Sequence, residues 1–150
     1  MKVKEYPNGT ILMDGNVLEG ANEAYQEDRI IEAFALLHAF IEWEMANLYE
    51  QHHLRKGGTL IELIDKKIMQ NKYRFGWLRH ELHVVNKLTD EKEDQRLGKW
   101  YELRNKIIHR LVAYSYHNYR WNRVTRKEVE QGFHEGEEIA ELLRLSTLRL

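Results

Sequence analysis

The chain contains no cysteine, which excludes disulfide staples, zinc ribbons and thiol nucleophiles from its chemistry. Its one proline, Pro7, sits in a charged opening segment, Met1 to Thr10, that lacks the apolar core of a signal peptide. No apolar run approaches the length of a membrane-spanning helix, so no membrane partner is expected. An excess of one charge is missing too: 23 Lys and Arg face 24 Asp and Glu, leaving a formal charge of -1. The whole molecule is therefore not marked as a binder of nucleic acid, and any basic surface must be local. Internal repeats, low-complexity tracts, Gly-rich phosphate loops, nucleophile elbows and paired-carboxylate signatures are likewise absent from the sequence. What remains is 150 residues with an ordinary apolar share, expected to form one domain over residues 1–150 of a soluble, cytoplasmic protein.

Within that domain the pattern changes once. Lys2 to Leu18 alternates short apolar pieces with Pro7-Asn8-Gly9 and Asp14-Gly15, turn chemistry that predicts a small hairpin or irregular arm over residues 1–21. From about Asn22 the apolar residues Ile30, Phe34, Leu37, Ile41, Met45 and Leu48 recur at helical steps, and Leu36, Phe40 and Trp43 widen the stripe. A long first helix covered on more than one side follows. Gly57-Gly58 ends it, and Thr59 with Glu62 has the capping-box spacing for a second helix from about Leu60 to Gln70. Phe75, Leu78, Leu82 and Val85 suggest a third, weakened by Gly76. Thr89-Asp90 offers caps for a fourth from about Glu91 to beyond Val112, and Thr125 with Glu128 opens a last one from about Arg126 to Leu145. The expected fold is all-α: an up-and-down bundle of about four to five helices over residues 22–146, behind the N-terminal arm.

The fourth helix carries the chemistry. At about 100° per residue, Leu97, Trp100, Leu103, Ile107, Ile108 and Leu111 share one broad face, and Arg104 falls in its middle. An unpaired guanidinium in a core is very costly, so either an acid such as Glu42 or Glu44 pairs it, or part of the face belongs to an interface or cleft. Asn105 and His109, four apart, border the same stripe. A planar cation matched to phosphate oxygens, an amide and an imidazole that exchanges protons near neutrality suit phosphate chemistry.

Arg104-Asn105-Lys106-Ile107-Ile108-His109 resembles the signature of the HEPN domains (higher eukaryotes and prokaryotes nucleotide-binding): an Arg, a following polar residue and a His a short way along, late in a helical bundle. The likeness in layout covers roughly residues 22–145. It implies a metal-independent endoribonuclease without cofactor, a homodimer in which two copies of the motif helix form one site. The resemblance gives His109 the role of general acid or base, Arg104 that of stabilising charge on the phosphate, and Asn105 that of orienting either. It also implies a toxin of a toxin-antitoxin or antiviral system, with an antitoxin as a possible partner. Some members carry, two residues after the His, a Tyr that can be modified with AMP. That position is Leu111 here, so this control mechanism is not carried over.

A second feature agrees with RNA. From Leu103 to Lys127 there is no Asp or Glu, while Arg104, Lys106, Arg110, Arg120, Arg123, Arg126 and Lys127 are basic; without these seven the net charge would be -8. Tyr114, Tyr116, Tyr119 and Trp121 interleave with the cations, a composition able to contact phosphates and stack on unpaired bases. Lys106, Arg110, Tyr114, Arg120, Trp121 and Arg123 are the candidate RNA contacts. The plain alternative is a basic helix end whose aromatics pack on the bundle. For the molecule the alternatives are a non-catalytic HEPN-like module binding RNA, a nucleotide or a protein, and a structural helical dimer. His80-Glu81-Leu82-His83 is one residue short of the zincin spacing and marks no third ligand, so no metal site is expected. Trp43, Trp77 and Trp100 fall among helical apolar residues and are expected in the core or a dimer seam.

Overall fold

The computed structural model describes residues 2–57, 61–117 and 123–150. Two strands, β1 (Lys2–Glu5) and β2 (Ile11–Asp14), pair antiparallel with Lys2 opposite Asp14 and Glu5 opposite Ile11. The Pro7-Asn8-Gly9 turn closes them: Gly9 takes φ 85°, and the Asn8 side chain accepts from the Thr10 N–H at 3.0 Å. The hairpin is as expected, and the rest of the described chain is an all-helical bundle.

Helix begins earlier than the apolar periodicity suggests. Asn16 caps α1 (Val17–Gln26) by accepting from the Leu18 and Glu19 N–H groups, so the arm ends before residue 21. The long first helix is then two. At Asp28 the backbone turns left-handed (φ 59°), with Arg29 N–H bonded to Ala24 O and Asp28 N–H to Tyr25 O. This pair of bonds is a Schellman ending with Asp in place of the usual Gly. α2 (Ile30–Lys56) restarts immediately, and Arg126 holds Asp28 by an ion pair of 2.7 Å. The Thr59–Glu62 capping box lies outside the described residues, but α3 (Ile61–Met69) follows where it was expected. α4 (Arg74–His80) passes into a π-helical turn, Glu81–Val85, which the sequence pattern did not foreshadow.

The two remaining helices start at their signals. Asp90 and Glu93 form a reciprocal capping box, each side chain accepting the other's backbone N–H, at 2.7 and 3.1 Å, and α5 (Glu91–His117) follows. Thr125 Oγ1 accepts from Glu128 N–H at 3.1 Å and opens α6 (Arg126–Leu148).

α2 is the central element, burying Ala33, Phe34, Leu37, Ile41, Met45 and Leu48. α5 runs antiparallel to α6: Arg96 meets Glu135 and Glu138, Trp100 meets Gly132, and Lys106 meets Glu128. Trp100 is the largest fully buried side chain among the described residues, and its Nε1–H donates to Gly132 O at 2.9 Å. Room for it exists because α6 presents Gly136 there. A Cβ at Gly136 would stand 2.5 Å from Leu37 Cδ2 and 2.7 Å from Trp100 Nε1. Trp77 is partly buried, whereas Trp43 is 59% exposed and is not a core residue of the single chain. Among the described residues, no helix is long and apolar enough to cross a membrane.

Gly136→Ala is expected to overpack this crossing at a cost of about 1–3 kcal/mol. Thermal unfolding followed by circular dichroism should show the midpoint falling by several degrees; an unchanged midpoint would show that the three helices can separate freely here.

Candidate functional site

Arg104 lies one turn beyond Trp100 on α5, so the packing that seats the indole also sets where the guanidinium projects. Leu97, Trp100 and Ile107 are buried, while Leu103, Ile108 and Leu111 are only partly covered. The apolar face is therefore part core and part open, and Arg104, half-buried, stands at the boundary. One Nη donates to Asn105 Oδ1 at 2.7 Å. Its Nε is buried with no hydrogen-bond partner, and no carboxylate of the described residues forms an ion pair with it. Burial pushes its pKa below the ordinary guanidinium value, against the attraction of Tyr101 and Glu42.

The two acids named as partners for Arg104 are placed elsewhere. Glu42 lies within electrostatic reach but spends its oxygens on others: Oε2 is 3.3 Å from His38 Nε2, and Oε1 accepts from Arg74 at 3.2 Å. The His38 hydrogen bond pulls the Glu42 carboxyl below the ordinary carboxylate range; burial opposes this, and the charges of His38 and Arg74 add to it. Glu44 is buried two residues on, round the helix from Glu42, where burial raises its pKa beside Arg144 and Glu141.

The other motif residues spread along α5. His109 is exposed, and Asn105 is half-buried with its carbonyl turned to Arg104. Lys106 reaches α6, with Nζ 3.7 Å from Glu128 Oε2. Arg110 is half-buried and Arg123 exposed. The side chains of Tyr114 and Tyr116, together with all of Tyr119, Arg120 and Trp121, lie outside the described residues. The structure thus places Arg104 and Asn105 in contact, with His109 a turn further along the same helix.

A cleft that the sequence did not single out opens beside this seam. It encloses about 570 Å³ between the start of α4 and the flanks of α2 and α5. Arg74, Lys72 and Arg79 supply cations, Glu42 the one carboxylate, and Phe75 and Tyr101 an aromatic wall. The rings are layered: Phe75 stacks on His38 at 5.2 Å and on Tyr101 at 4.7 Å. Arg79 is held by both oxygens of Asp94, at 2.7 and 3.1 Å. The visible signal was Lys72-Tyr73-Arg74, a basic-aromatic triplet directly after the Asn71 break.

His83, in the π turn, is 3.0 Å from Thr89 O through Nδ1 and 3.3 Å from Glu91 through Nε2, and His80 is exposed. Among the described residues no three His, Asp or Glu side chains gather into a metal-holding group. No protein-family model, curated protein or solved structure matches the chain.

The depressed Glu42 pKa has a signed consequence. A carboxyl whose folded pKa lies below its unfolded one contributes stability above the ordinary carboxylate range and loses it as pH falls through the folded value. Thermal unfolding of wild type and Glu42→Gln is expected to differ most near pH 7 and to converge toward pH 3. A gap that widens on acidification would refute the Glu42 assignment.

Proposed function

We propose that the chain is a metal-independent endoribonuclease of the HEPN type, working as a homodimer in which two copies of α5 complete one site on RNA. The observation that supports this best is the state of Arg104. A cation on a half-apolar face, with a dehydrated Nε and no acid of the described residues committed to it, is poised for an anion from outside. His109 is exposed on the next turn, free to meet a substrate.

In this mechanism the ribose 2′-oxygen attacks the adjacent phosphorus while the bond to the 5′-oxygen breaks, leaving a 2′,3′-cyclic phosphate and a 5′-hydroxyl. His109 acts in proton transfer, removing the 2′-OH proton or protonating the leaving oxygen; the two copies in a dimer divide these roles. Arg104 stabilises the extra charge on the pentacoordinate phosphorus, and Asn105, already bonded to Arg104, holds its orientation. Arg110 and Arg123 extend the positive surface along the RNA, with Tyr114, Arg120 and Trp121 as the stacking and phosphate contacts of the following segment. A toxin role, with an antitoxin as partner, is the setting that the resemblance implies.

Purified protein incubated with labelled RNA in EDTA is expected to yield cyclic-phosphate ends. His109→Ala should slow cleavage by about 10²–10⁴-fold, and Arg104→Ala by about 10²–10³-fold. Sedimentation should give twice the chain mass. Cleavage that survives both substitutions or requires a metal overturns the mechanism; RNA binding without cleavage points to a non-catalytic module.

A further inference from the structure

We propose that the cleft between the start of α4 and the α2–α5 seam is a second site, which binds a phosphate-bearing nucleotide unit. None of Arg104, Asn105 and His109 lines it, and the inference does not rest on the ribonuclease reading. Its volume of about 570 Å³ falls in the span of small-ligand clefts, roughly 300–1,000 Å³.

The charges select an anion. Three cations line the cleft; Arg79 is already held by Asp94 and Arg74 bonds Glu42, whose other oxygen meets His38, so Lys72 is the lining cation with no acid partner among the described residues. Lys72 is exposed on the rim. Arg74 gives one Nη to Glu42, but its Nε is buried without a hydrogen-bond partner, as is His38 Nδ1. The Arg74 side chain is about one-third exposed, and its Nη groups can still donate to a phosphate oxygen in the cleft. Two cationic side chains, Lys72 and Arg74, two residues apart at the entry to α4 and lining one opening, match the several oxygens of a phosphate better than the two of a carboxylate.

The aromatic wall selects a ring. Tyr101, 36% exposed, continues the stack that Phe75 forms on His38, and so offers an outer face backed by the buried Phe75 and the half-buried His38. Tyr73, 83% exposed, stands at the rim beside Lys72. A planar base placed on Tyr101 with its phosphate toward Lys72 and Arg74 would use both kinds of wall at once. The same chemistry is found in a free nucleotide and in one unit of a single-stranded RNA.

The experiment uses the full chain and three probes: inorganic phosphate, AMP, and a labelled single-stranded 2′-O-methyl RNA that lacks the attacking hydroxyl. Calorimetry and fluorescence anisotropy are expected to show saturable binding of AMP or the oligomer that weakens as salt rises. Lys72→Glu and Arg74→Ala should each lower affinity about tenfold or more, and Tyr101→Leu should weaken AMP but not inorganic phosphate. His109→Ala should bind AMP in the cleft as wild type does, so lost cleavage and lost cleft binding are separable. Tighter AMP than oligomer would identify a free nucleotide as ligand, and the reverse an RNA chain. Arg74→Ala also releases Glu42, so Lys72→Glu, an exposed site that leaves the fold intact, is decisive. Binding of neither AMP nor the oligomer, or binding indifferent to Lys72→Glu, overturns the proposal.

Discussion

Trp100 can be buried only because α6 carries no side chain at position 136. Its indole hydrogen bond to Gly132 O fixes the indole along α6, while the absence of a Cβ at Gly136 lets Leu37 of α2 approach α6 closely. Three helices are thereby locked at one point, and α5 has a single rotation about its axis. Everything else on α5 inherits that rotation. Tyr101, the next residue, is directed to the α4 side and stacks on Phe75, and Arg104, one turn on, comes to the margin where the apolar face stops being covered.

The electrostatics of the region turn on how Glu42 is shared. It is an acid within reach of Arg104, yet His38 and Arg74 occupy its two oxygens. Two partners at hydrogen-bond distance outweigh a third at longer range, because direct contact adds hydrogen-bond energy to Coulomb attraction. One carboxylate thus steadies the wall of the cleft and leaves the α5 cation open to something else. The motif and the cleft are neighbours joined through Glu42 and Tyr101, although they share no lining residue between Arg104–His109 and the cavity.

Much of this architecture was legible in the residues. Asp90 and Thr125 announced α5 and α6 because a capping side chain and its helix start are adjacent in sequence, and the Pro7-Asn8-Gly9 turn announced the hairpin for the same local reason. The break at Asp28 was not legible: a left-handed aspartate is uncommon, and no Gly or Pro marks the polar stretch Gln26-Glu27-Asp28-Arg29 where it falls. Nor was the π turn, whose wider winding shows no signature in side-chain spacing. Arg104 was recognisable as a misfit on its helix face, but the destination of Glu42 was not, since a pairing between residues 42 and 74 is decided by packing rather than by pattern. The cleft escaped for that reason too. It is assembled from three separate segments: its cations lie on one of them, residues 72–79, and the fold sets them against His38 and Glu42 of α2 and Tyr101 of α5.

Gly98 bears on the mobility of that cleft. A Cβ there would lie 2.6 Å from the guanidinium of Arg79, so the missing methyl group is the seat on which the guanidinium rests while Asp94 grips it from one side. An arginine free in solvent gives up considerable rotamer entropy when it is ordered around a ligand. Arg79 has lost that freedom already, on folding. The wall it forms is rigid before anything arrives, and a molecule entering the cleft meets a surface whose shape is set rather than one it must organise.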